Sequence, residues 1–207
     1  MTEKKERVLT EKEQARLARF EQTAAEMMEK GYRRVNLTVD IVKANIFALG
    51  MMVPVFIIGF LLFIKLHPEG MTRFSPFVFL ISYIALIVVH ELVHGITWSL
   101  FSEHHWQDID FGIMKKLLTP YCTCAVPLGK GHYIAGALMP LIVLGILPTI
   151  LALLNGSMTL LAIGLVMIVS AAGDILIVWK LCRHRTEAKE TVILDHPTEA
   201  GSVIFER

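Results

Sequence analysis

Long apolar runs alternate with charged segments along the 207-residue chain. Each run is close to the ~20 residues that an α-helix needs to cross a bilayer. The pattern therefore predicts an all-α membrane protein with four transmembrane helices. The apolar runs are residues 44–64, 76–101, 134–154 and 159–181.

The charged segments divide the chain into three parts. Residues 1–43 form an N-terminal segment, residues 44–182 the four-span domain, and residues 183–207 a tail. The start of the chain has no short apolar core of the signal-peptide type, so we expect the N-terminal segment to be retained.

The N-terminal segment contains the pattern of an amphipathic helix. Thr10 and Glu13 have the spacing of a capping box, and Gly31 follows the last apolar position. Such a helix can pack on the rest of the protein, lie on a membrane surface or bind a partner. Its apolar positions are Leu17, Phe20, Ala24, Met27 and Met28.

Lysine and arginine are distributed unequally among the segments that flank the runs. By the positive-inside rule, the distribution places both termini and the middle loop, residues 102–133, in the cytoplasm, and the turn at residues 155–158 outside. The three cysteines then lie in or beside a reducing compartment, and their odd number argues against a disulfide scaffold. On the cytoplasmic side the basic residues are Arg33, Arg34, Lys43, Lys115, Lys116, Lys130, Lys180, Arg183 and Arg185. The first loop has only Lys65 and Arg73, and the turn has none.

Composition agrees with a cell-membrane protein. Hydrophobic residues make up 54% of the chain, which is more than in an ordinary soluble domain. Twenty Lys and Arg against nineteen Asp and Glu leave the chain almost neutral, so no nucleic-acid partner is expected.

The second apolar run contains ionisable residues in the stretch "VVHELVHG". His90 and His94 lie four residues apart, and therefore on one face of a helix, with Glu91 beside them. His-Glu-x-x-His is the zincin pattern, in which two imidazoles bind Zn²⁺ and the glutamate acts as general base. A buried hydrogen-bonded cluster, a proton or ion path and haem ligation are the alternatives.

A catalytic zinc site needs a third protein ligand. The metzincin extension would require Gly at position 97 and His at position 100, where Thr97 and Leu100 stand, so that class is excluded. Asp174 is the one acid in the other three runs. Because a lone aspartate at mid-helix costs roughly 2.5–3.5 kcal/mol on an insertion scale, it needs a compensating charge.

Depth also favours Asp174 as the third ligand. His90 lies fourteen residues after Pro76, and Asp174 fifteen after Thr159, which places both ~21–23 Å below the outer boundary. A packing role and a proton-carrying role for Asp174 remain alternatives. The candidate third ligands in the middle loop are His104, His105, Asp108, Asp110 and His132.

These motifs resemble a known family. "HELVHG", "SAAGD", "TPYCTCAVPL" and "ILDHP" are similar to the putative zincin peptidase family called domain of unknown function 3267, over most of residues 40–200. The layout is more distantly similar to the site-2 protease class of intramembrane metalloproteases. The resemblance implies that His90, His94 and Asp174 bind zinc and that Glu91 is the base. The surroundings of Asp174, "AAGDIL", depart from the Asn-Pro and Leu-Asp-Gly surroundings in site-2 proteases.

Three further patterns concern the middle loop and the third run. The β-prone stretches "QDIDFGI" and "YCTCAVPL" predict a short hairpin, which either holds an extended substrate segment by strand addition or caps the helices. Cys122 and Cys124, with His132, either form a second metal site or are small buried side chains. Pro140 and Pro148 predict a distortion of the third helix, with or without a gating role.

Together the residues and the resemblance predict a zinc-dependent endopeptidase that hydrolyses peptide bonds within or near the bilayer. Its cofactor is Zn²⁺, and its substrate a membrane protein or peptide. The alternative is a non-hydrolytic metal or proton carrier, or a catalytically silent zinc-binding scaffold. Glu91 distinguishes them, because a carrier has no need of a base beside its first ligand.

Overall fold

The computed structural model describes residues 10–70, 72–114 and 119–207. Residues 1–9 of the N-terminal segment lie outside the described residues, and so do Lys115 and Lys116, which enter the charge count of the middle loop. The described part is mostly helical, with a small antiparallel sheet and a separate hairpin.

Helix α1 (Glu11–Glu29) begins at the predicted capping box. The Thr10 hydroxyl accepts a hydrogen bond from the Glu13 N–H at 3.3 Å, and the Glu13 carboxylate accepts one from the Thr10 N–H at 2.9 Å. The predicted amphipathic helix is therefore confirmed, and its apolar face packs inside the protein. The buried positions are Phe20, Ala24 and Met27, whereas Met28 is exposed.

Three helices are long and apolar enough to cross a membrane, and a pair of helices bent by 44° would add a fourth span. The four predicted apolar runs thus correspond to four helical stretches. The three helices are α2 (Ile41–Leu66), α3 (Pro76–Ser99) and the stretch made of α4 (Lys130–Pro140), a π-helical segment (Leu141–Ile146) and α5 (Leu147–Asn155); the bent pair is α6 (Met158–Ser170) and α7 (Ala172–Arg183).

The predicted distortion of the third span lies between its two prolines. Proline lacks the N–H of the helical hydrogen-bond ladder, and Pro140 is followed at once by the π-helical segment. Pro148 stands at the start of α5. The stretch nevertheless continues as one helix of 26 residues.

The prediction of an all-α fold requires a correction, because segments far apart in sequence form a four-stranded antiparallel sheet. The hydrophobic pattern predicts no strands in these segments, because each strand is short and finds its partners only in the folded chain. The strands, in sheet order, are β1 (Arg33–Thr38), β6 (Gly201–Glu206), β5 (Thr191–Asp195) and β4 (Leu128–Gly129).

This sheet lies between α1 and the ends of the apolar helices. Leu194, Val203 and Phe205 pack on the buried face of α1. Ile193 and Ile204 face the other way, into a core built with α3, α4 and α7. Successive residues of a strand point to opposite faces of the sheet, so alternate residues of β5 and β6 pack into two different hydrophobic cores.

The predicted hairpin is confirmed as strands β2 (Ile109–Met114) and β3 (Thr119–Cys124). It packs against α3 at Gly95, where an added Cβ would lie 2.5 Å from Cζ of Phe111. The glycine that follows the His-Glu-x-x-His pattern therefore lets the hairpin approach the helix that carries the motif.

Candidate metal centre

Two histidines of α3 and an aspartate of α7 converge on one point. The Nε2 atoms of His90 and His94 lie 3.2 Å apart, and the Asp174 carboxylate lies 3.2 Å from Nε2 of His90 and 3.5 Å from Nε2 of His94. Both histidines are buried. Among the described residues, this is the one group of three His, Cys, Asp or Glu side chains that can hold a metal ion.

Local helix geometry explains the convergence. His90 and His94 share a face of α3 because they are one helical turn apart. Asp174 lies in the first turn of α7, just after the break at Ala171 that separates α7 from α6. The positive end of a helix dipole favours a carboxylate at that position. The break therefore creates a helix start at the level of the two histidines.

The spacing of the three side chains fits a zinc ion. Zn²⁺ binds imidazole nitrogen and carboxylate oxygen at ~2.0–2.2 Å with tetrahedral geometry, which sets neighbouring ligand atoms ~3.3 Å apart. The separations of 3.2 to 3.5 Å agree with that value. A divalent cation would also neutralise Asp174 and separate the two facing imidazole nitrogens, and three protein ligands leave the fourth position to water.

Neighbouring groups fix the orientation of His94. Its Nδ1 lies 2.9 Å from the carbonyl oxygen of Gly136, so an N–H at Nδ1 leaves Nε2 as the atom that faces Asp174. The Trp98 ring stacks on His94 at 5.1 Å between centroids, and its Nε1–H donates to the carbonyl oxygen of Tyr133 at 3.1 Å. Sequence reasoning missed these residues, although Trp98 continues the four-residue spacing of the two histidines.

His90 has a different environment. Its Nδ1 is buried and lacks a hydrogen-bond partner within the described residues. His94 is therefore the more firmly oriented of the two histidines.

Asp195, in the "ILDHP" stretch, joins the C-terminal hairpin, which consists of β5 and β6, to this region. It accepts hydrogen bonds from the Tyr133 hydroxyl at 2.5 Å and from the Cys124 N–H at 2.8 Å. Burial raises the pKa of Asp195 to about 6, although both hydrogen bonds act to lower it. Through this carboxylate, α4, β3 and β5 are linked beside the candidate metal centre.

Glu91 lines a cavity together with the three candidate ligands. The cavity has a volume of about 970 Å³ and opens to solvent. The backbone N–H of Cys122 interacts with the Glu91 carboxylate, so β3 helps to position it. The structure thus places a carboxylate next to the metal centre, as a general base requires.

The loop candidates for a third ligand lie elsewhere. None belongs to the group of side chains that can hold a metal, and each has another contact. His104 faces Asp108 at 3.3 Å, His105 Nδ1 lies 3.0 Å from the Ser99 carbonyl oxygen, Asp110 pairs with Arg19 at 2.6 Å, and the His132 ring stacks on Phe101 at 4.3 Å.

The cysteines form no second metal site within the described part of the chain. Cys122 and Cys124 are buried free thiols, and burial raises the pKa of both, that of Cys124 to about 12. They therefore stay protonated at neutral pH and pack as small apolar side chains.

Comparison with known proteins agrees with the geometry. No curated protein and no solved structure matches the chain significantly. A family model described as "Putative zincin peptidase" (DUF3267) matches residues 83–189, which are 107 of the 207 residues and include His90, His94 and Asp174. The chain therefore belongs to the family of that description, domain of unknown function 3267.

Proposed function

We propose that this protein is a zinc-dependent endopeptidase of the cell membrane that hydrolyses peptide bonds within or near the bilayer. The observation that supports this most directly is the set of His90, His94 and Asp174, with ligand atoms 3.2 to 3.5 Å apart and Glu91 lining the same cavity. Membership of a zincin peptidase family points to the same chemistry.

Each residue of the site has a separate role. His90, His94 and Asp174 would hold zinc, which when bound would supply Lewis-acid chemistry to the water and to the scissile carbonyl. Glu91 takes the proton of the attacking water and delivers it to the leaving amine. The Gly136 carbonyl and the Trp98 ring keep His94 in its ligating orientation.

The sheet supports a four-span topology with all flanking segments on one side. β1 precedes α2, β4 follows α3, and β5 and β6 follow α7, yet all four strands are hydrogen-bonded in one sheet. Segments that pair directly must lie on the same side of a bilayer. The α4–α5 stretch and the α6–α7 pair must then either both cross or both stay on that side, and their length and hydropathy favour crossing. The positive-inside rule assigns the side with the sheet to the cytoplasm.

Cavities next to the site support access from the apolar region. A second cavity of about 740 Å³ is lined by His90 and Glu91 and extends to Tyr83 on α3 and Ser170 on α6. A third, of about 840 Å³, shares Tyr83 and Ser170 and reaches Asn45 on α2. A substrate segment can thus approach Glu91 from between the helices.

The hairpin has a positioning role in this proposal. In an antiparallel pair, alternate N–H groups of an edge strand point away from its partner. Two such groups of β3 are already engaged, at Cys122 with Glu91 and at Cys124 with Asp195. Because an added substrate strand would have to displace these contacts, strand addition is not part of the proposal.

Comparative membrane proteomics tests the proposed function. We expect cleaved membrane-protein fragments in wild-type cells that are missing from cells with Glu91→Gln, and missing again with the metal-free control His94→Ala. A metal or proton carrier predicts identical fragment patterns in the three strains, and that result would reject the peptidase.

A further inference from the structure

Arg16 of α1 forms part of the wall of the cavity that contains the candidate metal centre. Its guanidinium carbon lies 4.7 Å above the ring centroid of Tyr121, on β3. The neighbouring residue, Cys122, contacts Glu91 through its backbone N–H. A cation from the N-terminal helix thus faces the space through which a bound peptide would pass.

The charge of Arg16 has no counter-charge in contact within the described residues. Its Nε is buried without a hydrogen-bond partner, and the guanidinium takes part in none of the ion pairs. Two other arginines nearby do have partners, since Arg19 pairs with Asp110 at 2.6 Å and Arg34 with Glu21 at 3.4 Å. Arg16 is the exception among them.

Asp195, an acid of the same cavity wall, forms no ion pair with Arg16, although the charge of Arg16 acts to lower the pKa of Asp195. Both oxygens of Asp195 are occupied, one by the Tyr133 hydroxyl and the other by the Cys124 N–H. The position over the Tyr121 ring offsets part of the cost of a partly buried cation. The terminal N–H groups of Arg16 take part in none of the ion pairs among the described residues and therefore remain available for an incoming carboxylate.

We propose that Arg16 is a specificity residue that binds a carboxylate of the substrate, and so directs cleavage to a fixed distance from a negative charge. This inference rests on the proposed peptidase function. The carboxylate belongs either to an Asp or Glu side chain or to the free C-terminus of the peptide, and both present the same planar group to the guanidinium.

A binding measurement tests the proposal without requiring catalysis. The protein is the full chain purified in detergent, loaded with zinc and carrying Glu91→Gln to prevent turnover. The probes are fluorescein-labelled alanine hexapeptides that contain one glutamate or one glutamine, each with a free or an amidated C-terminus. We expect at least one carboxylate to improve affinity about tenfold or more over its neutral twin.

Substitutions at two arginines of α1 then show which residue causes the preference for a carboxylate. Arg16→Gln should abolish it, Arg16→Glu should reverse it towards a lysine-containing hexapeptide, and Arg19→Gln, the matched control, should leave it intact. The glutamate and free-terminus probes separate the two sources of the carboxylate. Equal affinity for charged and neutral probes, or a preference that survives Arg16→Gln, would overturn the inference.

Cleavage-site profiling separates this inference from the proposed function. Wild-type protein would be incubated with a peptide library, and the cut sites read by mass spectrometry. Loss of the acidic preference in Arg16→Gln, with neutral peptides still cut, supports both proposals. A wild type that binds acidic probes through Arg16 but cuts no peptide rejects the peptidase and leaves the carboxylate site standing.

Discussion

Nδ1 of His94 lies 2.9 Å from the carbonyl oxygen of Gly136, so a glycine 42 residues downstream orients a candidate metal ligand. The same glycine is in close contact with Trp98: a Cβ at position 136 would lie 2.0 Å from its Nε1. The Trp98 ring also stacks on His94. A side chain at position 136 that moves Trp98 would therefore also shift His94 at the candidate metal centre.

The substitution Gly136→Ala should therefore weaken zinc binding. The methyl group must displace either Trp98 or the α4 backbone, and loss of an outer contact to a ligating histidine commonly reduces metal affinity ~10–100-fold. Chelator competition on detergent-purified protein measures the change. Gly131→Ala is the control, since an added Cβ there meets no atom within 4 Å. Equal zinc affinity in both variants would contradict the role of Gly136.

Asp174 is expected to supply the third ligand. Asp174→Ala should lose stoichiometric zinc, whereas Asp174→Asn should lose less, because an amide oxygen can still coordinate but lacks the charge. Zinc analysis of purified variants, with His94→Ala as the metal-free control, measures this. One zinc per chain in Asp174→Ala would mean that Asp174 packs or carries protons instead.

Glu206 should make stability depend on pH at the sheet. This buried carboxylate pairs with Arg33 and accepts a hydrogen bond from His184 at 2.9 Å, and these contacts lower its pKa from 4.5 to about 2. A lowered folded-state pKa stabilises the protein above pH 4.5, and that contribution is lost as the pH falls from 4.5 towards 2.

Thermal unfolding of wild type and Glu206→Gln in detergent tests this expectation. Wild type should unfold at a higher temperature than Glu206→Gln at pH 7. This difference in melting temperature should disappear as the pH falls from 4.5 to 2. Because acid also protonates the candidate zinc ligands in both proteins, the difference between the two proteins is the relevant quantity. A difference in melting temperature that does not change with pH would show that the charge of Glu206 does not stabilise the protein.

The pairing of β1, β4, β5 and β6 in one sheet, together with the positive-inside rule, predicts the topology. Reporter fusions at Lys116 and after Arg207 should report the cytoplasm, and fusions in the turn at residues 155–158 the outside. Opposite locations for Lys116 and the C-terminus would require an odd number of crossings between them, which the sheet does not permit.

The sequence predicts those features that depend on local pattern. The four apolar runs, the capping box at Thr10, the β2–β3 hairpin and the spacing of His90 and His94 are each carried by neighbouring residues. Asp174 and the two histidines could be matched by depth because a helix has a known rise per residue, although the pattern does not predict the bend of 44° between α6 and α7.

The remaining features depend on contacts between distant segments. β1 pairs with β6 in a register that joins Arg33 to Glu206, and neither strand is long enough to be distinguished from a charged loop by its own pattern. The break at Ala171 has no proline, and small residues alone do not predict it. The contacts of Gly136 with Trp98, and of Asp195 with Tyr133, likewise arise only when α3, α4 and the C-terminal hairpin pack.

Peptide cleavage by purified wild type and Glu91→Gln, with zinc content matched, tests the central claim most directly. Glutamine nearly preserves the shape of Glu91 but cannot accept the water proton, so zinc should stay bound while cleavage falls to background. Cleavage by Glu91→Gln at the wild-type rate, with one zinc bound in each protein, would contradict the account.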